Sequence, residues 1–219
     1  MTTDGVLRVR RVRGRLAREG ATWSAGNGLE FETVSLPEDE CDRLRDLLVA
    51  ERAACVVEIG LAYASSALAI GEALLTVGAP DARHVIVDPF QDSVWSGAGW
   101  SLLCDAGLDA IARLVPAWSS IALPRLLTDG FVADAAFVDG SHRFHEVFVD
   151  AYFLRKIVRP GGLIVLDDYW APPVRTAAAY FERNLGWTAL PDAIGGDRCQ
   201  AFRLPAEAYE PPFRQFEPF

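Results

Sequence analysis

The chain is short of the features that mark several protein classes. Its four cysteines, Cys41, Cys55, Cys104 and Cys199, have no metal-ligand spacing. That argues against a zinc module and for reduced thiols. No apolar run is long enough to span a bilayer. The basic N-terminal stretch passes into polar residues without an apolar leader core, so a cytoplasmic location is expected. The formal net charge of −9 leaves no overall positive field for nucleic acid, and neither that partner nor a membrane is expected. The GxGxxG pattern of dinucleotide sites is missing, so no binding of NAD(P)H is expected. No internal repeat or low-complexity linker divides the 219 residues, which suffice for one large α/β domain. One local bias stands against the net charge. Arg8, Arg10, Arg11, Arg13, Arg15 and Arg18 crowd the first twenty residues. They read as a solvated arm or one packed on an acidic neighbour, with contact to an acidic partner as the other reading.

What is present is an alternation of strand and helix. Residues 1–36 read as an N-terminal arm of short β or irregular pieces, with Gly26 and Gly28 as turn signals. Pro37 and the acids at 38–40 open a helix. Apolar strands are expected at 55–59, 84–88, 111–118, 134–138 and 163–166, with helices between them. Residues 187–190 and 200–204 read as a terminal antiparallel pair. The core domain is expected over 37–204, and the tail at 205–219 is rich in Pro and Phe and suited to packing on the domain or on a second copy of the chain. Strands apolar on both sides, alternating with helices, require a mainly parallel sheet covered on both faces.

The chemistry-bearing residues fall at strand ends, where open parallel sheets bind ligands. The first strand runs into Glu58-Ile59-Gly60-Leu61-Ala62-Tyr63-Ala64-Ser65-Ser66. Gly60 permits a sharp turn and close approach to a ligand. The following helix start and the Ser66 hydroxyl suit a carboxylate, and Glu58 suits a cationic group. The second strand ends in Asp88, the usual kind of partner for ribose hydroxyls. Residues 134–170 form strand, turn, helix and strand, delivering Asp139 with His142 from one strand and Asp167 with Asp168 from the next. Hard oxygen donors from adjacent strand ends suit Mg2+. Asp139 as a turn residue and Asp168 as a helix cap are the plain alternatives. Trp95, Trp100, Tyr169 and Trp170 flank the expected mouth and read either as an acceptor wall or as lid packing.

These motifs, the Glu-x-Gly loop, the strand-end Asp88, the Asp-Gly-x-His turn at 139–142 and the Leu-Asp-Asp strand end at 166–168, resemble the class I S-adenosylmethionine-dependent methyltransferases over about residues 40–204. The closer likeness is to the small-molecule O-methyltransferase branch. The resemblance implies a Rossmann-like three-layer α/β sandwich with a mostly parallel seven-stranded sheet and a C-terminal antiparallel strand pair. It implies S-adenosylmethionine on Glu58, Gly60, Ala62, Ser66, Asp88, Ser119 and Asp139. It implies Mg2+ on Asp139, Asp167 and Asp168. His142 stands where related enzymes carry a catalytic base, and Asp139 joins it in the catalytic pair. Ala64 replaces a glycine usual in that loop, and serves there at negative φ. The expected activity is methyl transfer to a hydroxyl of a small-molecule acceptor of secondary-metabolite type. Metal-independent N- or C-methylation, and a catalytically idle cofactor-binding module, are the alternatives.

Overall fold

The computed structural model describes residues 2–20, 31–195 and 198–219. The arm is helical rather than β. Helix α1 spans Thr2–Glu19 and the short α2 spans Phe31–Val34; the turn signals Gly26 and Gly28 lie outside the described residues. Val9, Val12 and Leu16 recur at spacings of three and four and are all buried, which sets the helical period. The arginines between them meet acids on the body. Arg13 bonds Glu72 at 2.6 Å and Asp42 at 2.8 Å, and Arg10 bonds Glu72 at 2.7 Å. The packed-arm reading of the basic stretch therefore holds.

The body follows as α3 (Glu38–Ala50), β1 (Cys55–Ile59), α4 (Ser65–Val77), β2 (Arg83–Val87), α5 (Ala98–Ala106), β3 (Ala112–Val115), α6 (Ser119–Thr128) and β4 (Ala133–Val138). It continues through α7 (Phe144–Ile157), β5 (Val158–Leu166), α8 (Pro172–Leu185), β6 (Thr188–Leu190) and β7 (Gln200–Arg203). The seven strands form one sheet in the order β3-β2-β1-β4-β5-β7-β6. β1 to β5 pair in parallel, and β7 runs antiparallel to both β5 and β6. The expected fold class, with its terminal antiparallel pair, is the observed one.

Alternate strand residues serve opposite layers. Val57, Ile59, Ala136, Val138, Ile164 and Leu166 pack under α6, α7 and α8. Val56, Ala135, Phe137, Leu163 and Val165 pack under α3 and α4. Helix α1 closes over α4 and α5 as an outer element of the second face. The tail docks at its end: Phe219 stacks on Phe144, and Asn184 exchanges hydrogen bonds of 2.9 and 2.7 Å with the backbone of Glu217.

Chain direction across the sheet reverses between β1 and β4, so the loops after these two strands diverge and leave a crevice at their carboxyl ends. No helix among the described residues is long and apolar enough to cross a membrane.

Candidate active site

A cavity of about 840 Å3 opens at that crevice. Its walls are the loop after β1 (residues 59–62), the loop after β2 (87–90), Trp95, the start of α6 (118–120), the turn after β4 (139–143) and the first half of α7. The volume suits a nucleoside joined to an amino acid.

The β1 loop is shaped by three positive φ angles, at Gly60 (91°), Ala62 (41°) and Ala64 (63°). Gly60 has no substitute: a Cβ there would lie 2.0 Å from the carbonyl oxygen of Asp139. Ala64 does not have the negative φ that an alanine favours. It takes the left-handed conformation of the glycine it replaces, with its methyl fully buried. Asp88 secures this loop. Its Oδ2 accepts from the backbone N–H of Leu61 (3.1 Å) and Ala62 (3.2 Å), and its Oδ1 from Phe90 N–H (2.7 Å). Gln91, a residue the motifs did not mark, ties the β2 loop back by donating to Ala62 O at 2.9 Å and Asp88 Oδ2 at 3.1 Å.

The structure brings Gly60, Ala62, Asp88, Ser119, Asp139 and His142 onto the cavity wall together. Glu58 and Ser66 lie beneath it. Ser66 Oγ donates to Glu58 Oε1 at 2.5 Å, and His84 Nε2 lies 2.8 Å from Glu58 Oε2. The Glu58 carboxylate thus already faces an imidazole and a hydroxyl inside the protein. Of the four aromatics named from the sequence, Trp95 lines the cavity. Trp100 packs against the α1–α5 cluster, and Tyr169 packs edge-on against Phe202. Trp170 is 60% exposed and donates from Nε1 to Asp168 Oδ1 at 2.8 Å. Sequence reading passed over Phe90, which meets Trp118 edge-on at 5.1 Å on the cavity rim. It also passed over Asp150 on α7. An acid on the face that buries Val147, Ala151 and Leu154 was the available signal.

Asp139 and His142 on the cavity wall belong to an acidic cluster with Asp167 and Asp168 behind them. Ligand atoms of Asp139, His142 and Asp167 all lie within 4.8 Å of one another. Asp168, with φ of 48°, turns aside to accept from His142 Nδ1 at 3.0 Å. His142 Nε2 is 3.5 Å from Asp139 Oδ1, an ion-pair distance that falls short of a well-formed hydrogen bond. Asp139 beside Nε2, together with Asp168 on Nδ1, pushes His142 up to about 10 against the opposing effect of burial. Burial and the neighbouring Asp167 hold the Asp139 carboxyl well above the usual carboxylate range. The His142 hydrogen bond holds Asp168 below it. The two crowded carboxylates, Asp139 and Asp167, are hard oxygen donors of the kind that fit a divalent cation. A competitor is already present: Arg198 donates Nε to Asp167 Oδ1 and Nη2 to Asp167 Oδ2, both at 2.9 Å, and Cys199 Sγ lies 3.0 Å from Oδ1.

Known proteins give this geometry a context. No curated protein sequence matches the chain. The O-methyltransferase TomG from Streptomyces achromogenes, involved in tomaymycin synthesis and solved with SAM, superposes with a TM-score of 0.67 at 19% identity, covering 89% of each chain. Cofactor-bound Rv0187 from MTB gives 0.68 at 16% identity over 93% of this chain and 90% of its own. An O-methyltransferase from Bacillus cereus in complex with SAH gives 0.64 at 14% identity over 92% and 91%. At such identities the likeness is one of fold. The family assignment rests on sequence, because a methyltransferase-domain family model matches residues 57–169, from β1 to the end of the acidic cluster. That match spans more than half of the chain and contains both the β1 loop and the Asp139–His142 turn, so the chain belongs to the methyltransferase-domain family.

Proposed function

We propose that the protein transfers the methyl group of S-adenosylmethionine to a hydroxyl oxygen of a small-molecule acceptor. The observation that carries this reading is the single cavity of about 840 Å3 that joins the β1 loop, Asp88 and the Asp139–His142 turn. S-adenosylmethionine supplies a methyl group on a positively charged sulfur. The residues around it divide the remaining work. Asp88, which fixes the β1 loop through Leu61 and Ala62, would meet the ribose. Phe90 and Trp118, which meet edge-on and both line the cavity, would pack against a planar base. Asp139 lines the same cavity, and a sulfonium beside it would favour the ionised form of a carboxyl that burial and Asp167 otherwise hold towards its neutral form.

The acceptor hydroxyl would lie beside His142. Its oxygen attacks the methyl carbon as the carbon–sulfur bond breaks, and its proton leaves to Nε2 of His142. Asp168 orients that ring through Nδ1. Holding both reactants in line supplies much of the acceleration. Asp139 and Asp167 would hold Mg2+, with Asp168 able to join them after releasing His142; the ion would lower the pKa of the hydroxyl.

A second reading, metal-independent transfer to O, N or C, is favoured by one observation. Arg198 already engages both oxygens of Asp167. Methyl transfer to a panel of phenols, sugars and amines, assayed with Mg2+ and with EDTA, separates the two. Activity lost in EDTA and restored by Mg2+ supports the metal-assisted reading. Full activity in EDTA, retained by Asp167→Asn, supports the other. Turnover of any acceptor excludes an idle binding module. No turnover with any acceptor, despite S-adenosylhomocysteine binding, favours that module.

A further inference from the structure

The strand pairing brings a cation to the acidic cluster from a part of the chain outside the strand-end motifs. β7 runs antiparallel to β5, with Leu166 opposite Gln200. The residues just before β7 therefore arrive at the carboxyl end of β5, where Asp167 and Asp168 stand. They are Arg198 and Cys199. Asp167 is 1% exposed, and Arg198 is the one cation paired with it among the described residues.

An ionised carboxylate has about four acceptor positions. The fork of Arg198 engages both oxygens of Asp167, Nε on Oδ1 and Nη2 on Oδ2, each at 2.9 Å. Cys199 Sγ lies 3.0 Å from Oδ1, and the Asp139 carboxyl makes a further side-chain hydrogen bond with Asp167. Asp167 is thus satisfied from within, and a metal ion could coordinate it only in place of one of these partners. The thiol is a weak donor and yields easily. The guanidinium carries a charge that repels the ion, and burial leaves little water to screen the two.

Arg198 is anchored through both its backbone and its side chain. Its carbonyl accepts from Tyr169 N–H at 2.6 Å, and its Nη1 donates to Ser35 O at 3.2 Å, in the connection between α2 and α3. The side chain is only 18% exposed. A planar fork held in this way is preorganised for a carboxylate, unlike a solvated surface arginine.

We propose that Arg198 is the resident cation of the acidic cluster, which a divalent ion must displace from Asp167 in order to bind. This rests on the metal-assisted reading of Asp139 and Asp167, and names the residue that limits metal affinity there. The contact of Nη1 with Ser35 O does not involve the acids, so the displaced head keeps one of its partners.

The test reads metal binding and involves no turnover. Mn2+, which takes the same hard oxygen donors as Mg2+, is titrated into metal-stripped wild type, Arg198→Gln and Arg198→Lys, and the free ion is followed by its EPR signal. Gln removes both the charge and the fork and should tighten Mn2+ binding by at least about tenfold. Lys keeps the charge but cannot grip both oxygens, and should tighten binding by a smaller factor. Adding Asp167→Asn to Arg198→Gln should abolish the gain, which assigns the ion to the cluster. Without metal, Arg198→Gln should melt below the wild type, because a buried carboxylate has lost its partner; excess Mn2+ should raise its melting temperature by more than that of the wild type. If the glutamine variant does not fold, the lysine variant decides alone.

Equal or weaker Mn2+ binding in the folded Arg198 variants overturns the proposal and leaves the metal-assisted reading standing. A lysine variant at wild-type affinity also overturns it, since Arg198 would then act by charge alone. So does a gain that survives Asp167→Asn. No uptake of Mn2+ by the wild type or any Arg198 variant overturns the metal-assisted reading, and this inference with it.

Discussion

His142 shows how a single residue's surroundings decide what it can do. Held between Asp139 and Asp168, it is an imidazolium at neutral pH in the free protein, since its pKa is pushed up to about 10. A base must first lose its proton, so without added metal the transfer rate should rise with pH until about 10. A cation among the acids offsets the charge of Asp139 and should move this limb to lower pH. Rate profiles in EDTA and in Mg2+ check both statements, and His142→Ala should remove the limb. The same shift bears on stability. The folded pKa lies above the unfolded one, so this contribution is complete below about 6.5 and is lost as pH rises towards 10. Ala64 offers a second test. Its left-handed backbone costs about 1–2 kcal/mol, while its buried methyl returns roughly 0.8 kcal/mol. Ala64→Gly should therefore stabilise the protein by up to about 1 kcal/mol, measured by urea denaturation. The strand-end residues were legible because an open parallel sheet puts its chemistry at the carboxyl ends. The sign of φ at Ala64 was not, since it is set by the turn around Gly60 rather than by alanine itself. Asp150 sits in mid-helix, where only its breach of an apolar face marks it.

Among the elements, α1 departs most from its sequence reading. Arginine and valine alternate over residues 8–10 and mimic a strand, whereas the buried set Val9, Val12 and Leu16 has the helical period. The deciding partner is distant in sequence. Glu72 on α4 is fully buried, and its carboxylate is met by Arg10 and Arg13 from α1. Local spacing could not disclose that pairing. The two arginines should not be equivalent. The Arg13 side chain is 10% exposed and that of Arg10 is 58% exposed. Arg13→Ala leaves a buried carboxylate short of its best donor and should cost about 2–3 kcal/mol. Arg10→Ala should cost under about 1 kcal/mol. Denaturation curves for the two variants, with proteolysis of the first thirty residues as a local probe, give the comparison.

For the molecule as a whole, the alternation of strands and helices was enough to foresee a covered parallel sheet, and the observed order places its reversal between β1 and β4. Three segments far apart in sequence therefore meet at one cavity: the β1 loop, Asp88 and the Asp139–His142 turn. The sequence could list these residues but not the pairings that qualify them. Glu58 is turned inward to His84 and Ser66, and Asp167 is shared with Arg198. The central claim is that this cavity holds an S-adenosyl ligand. Its most direct test is titration of S-adenosylhomocysteine into the purified protein, followed by a melt at saturation. The account predicts one-to-one binding, and stabilisation of about 2.7 kcal/mol at a hundredfold excess over the dissociation constant. No heat of binding and an unmoved melting temperature would contradict it.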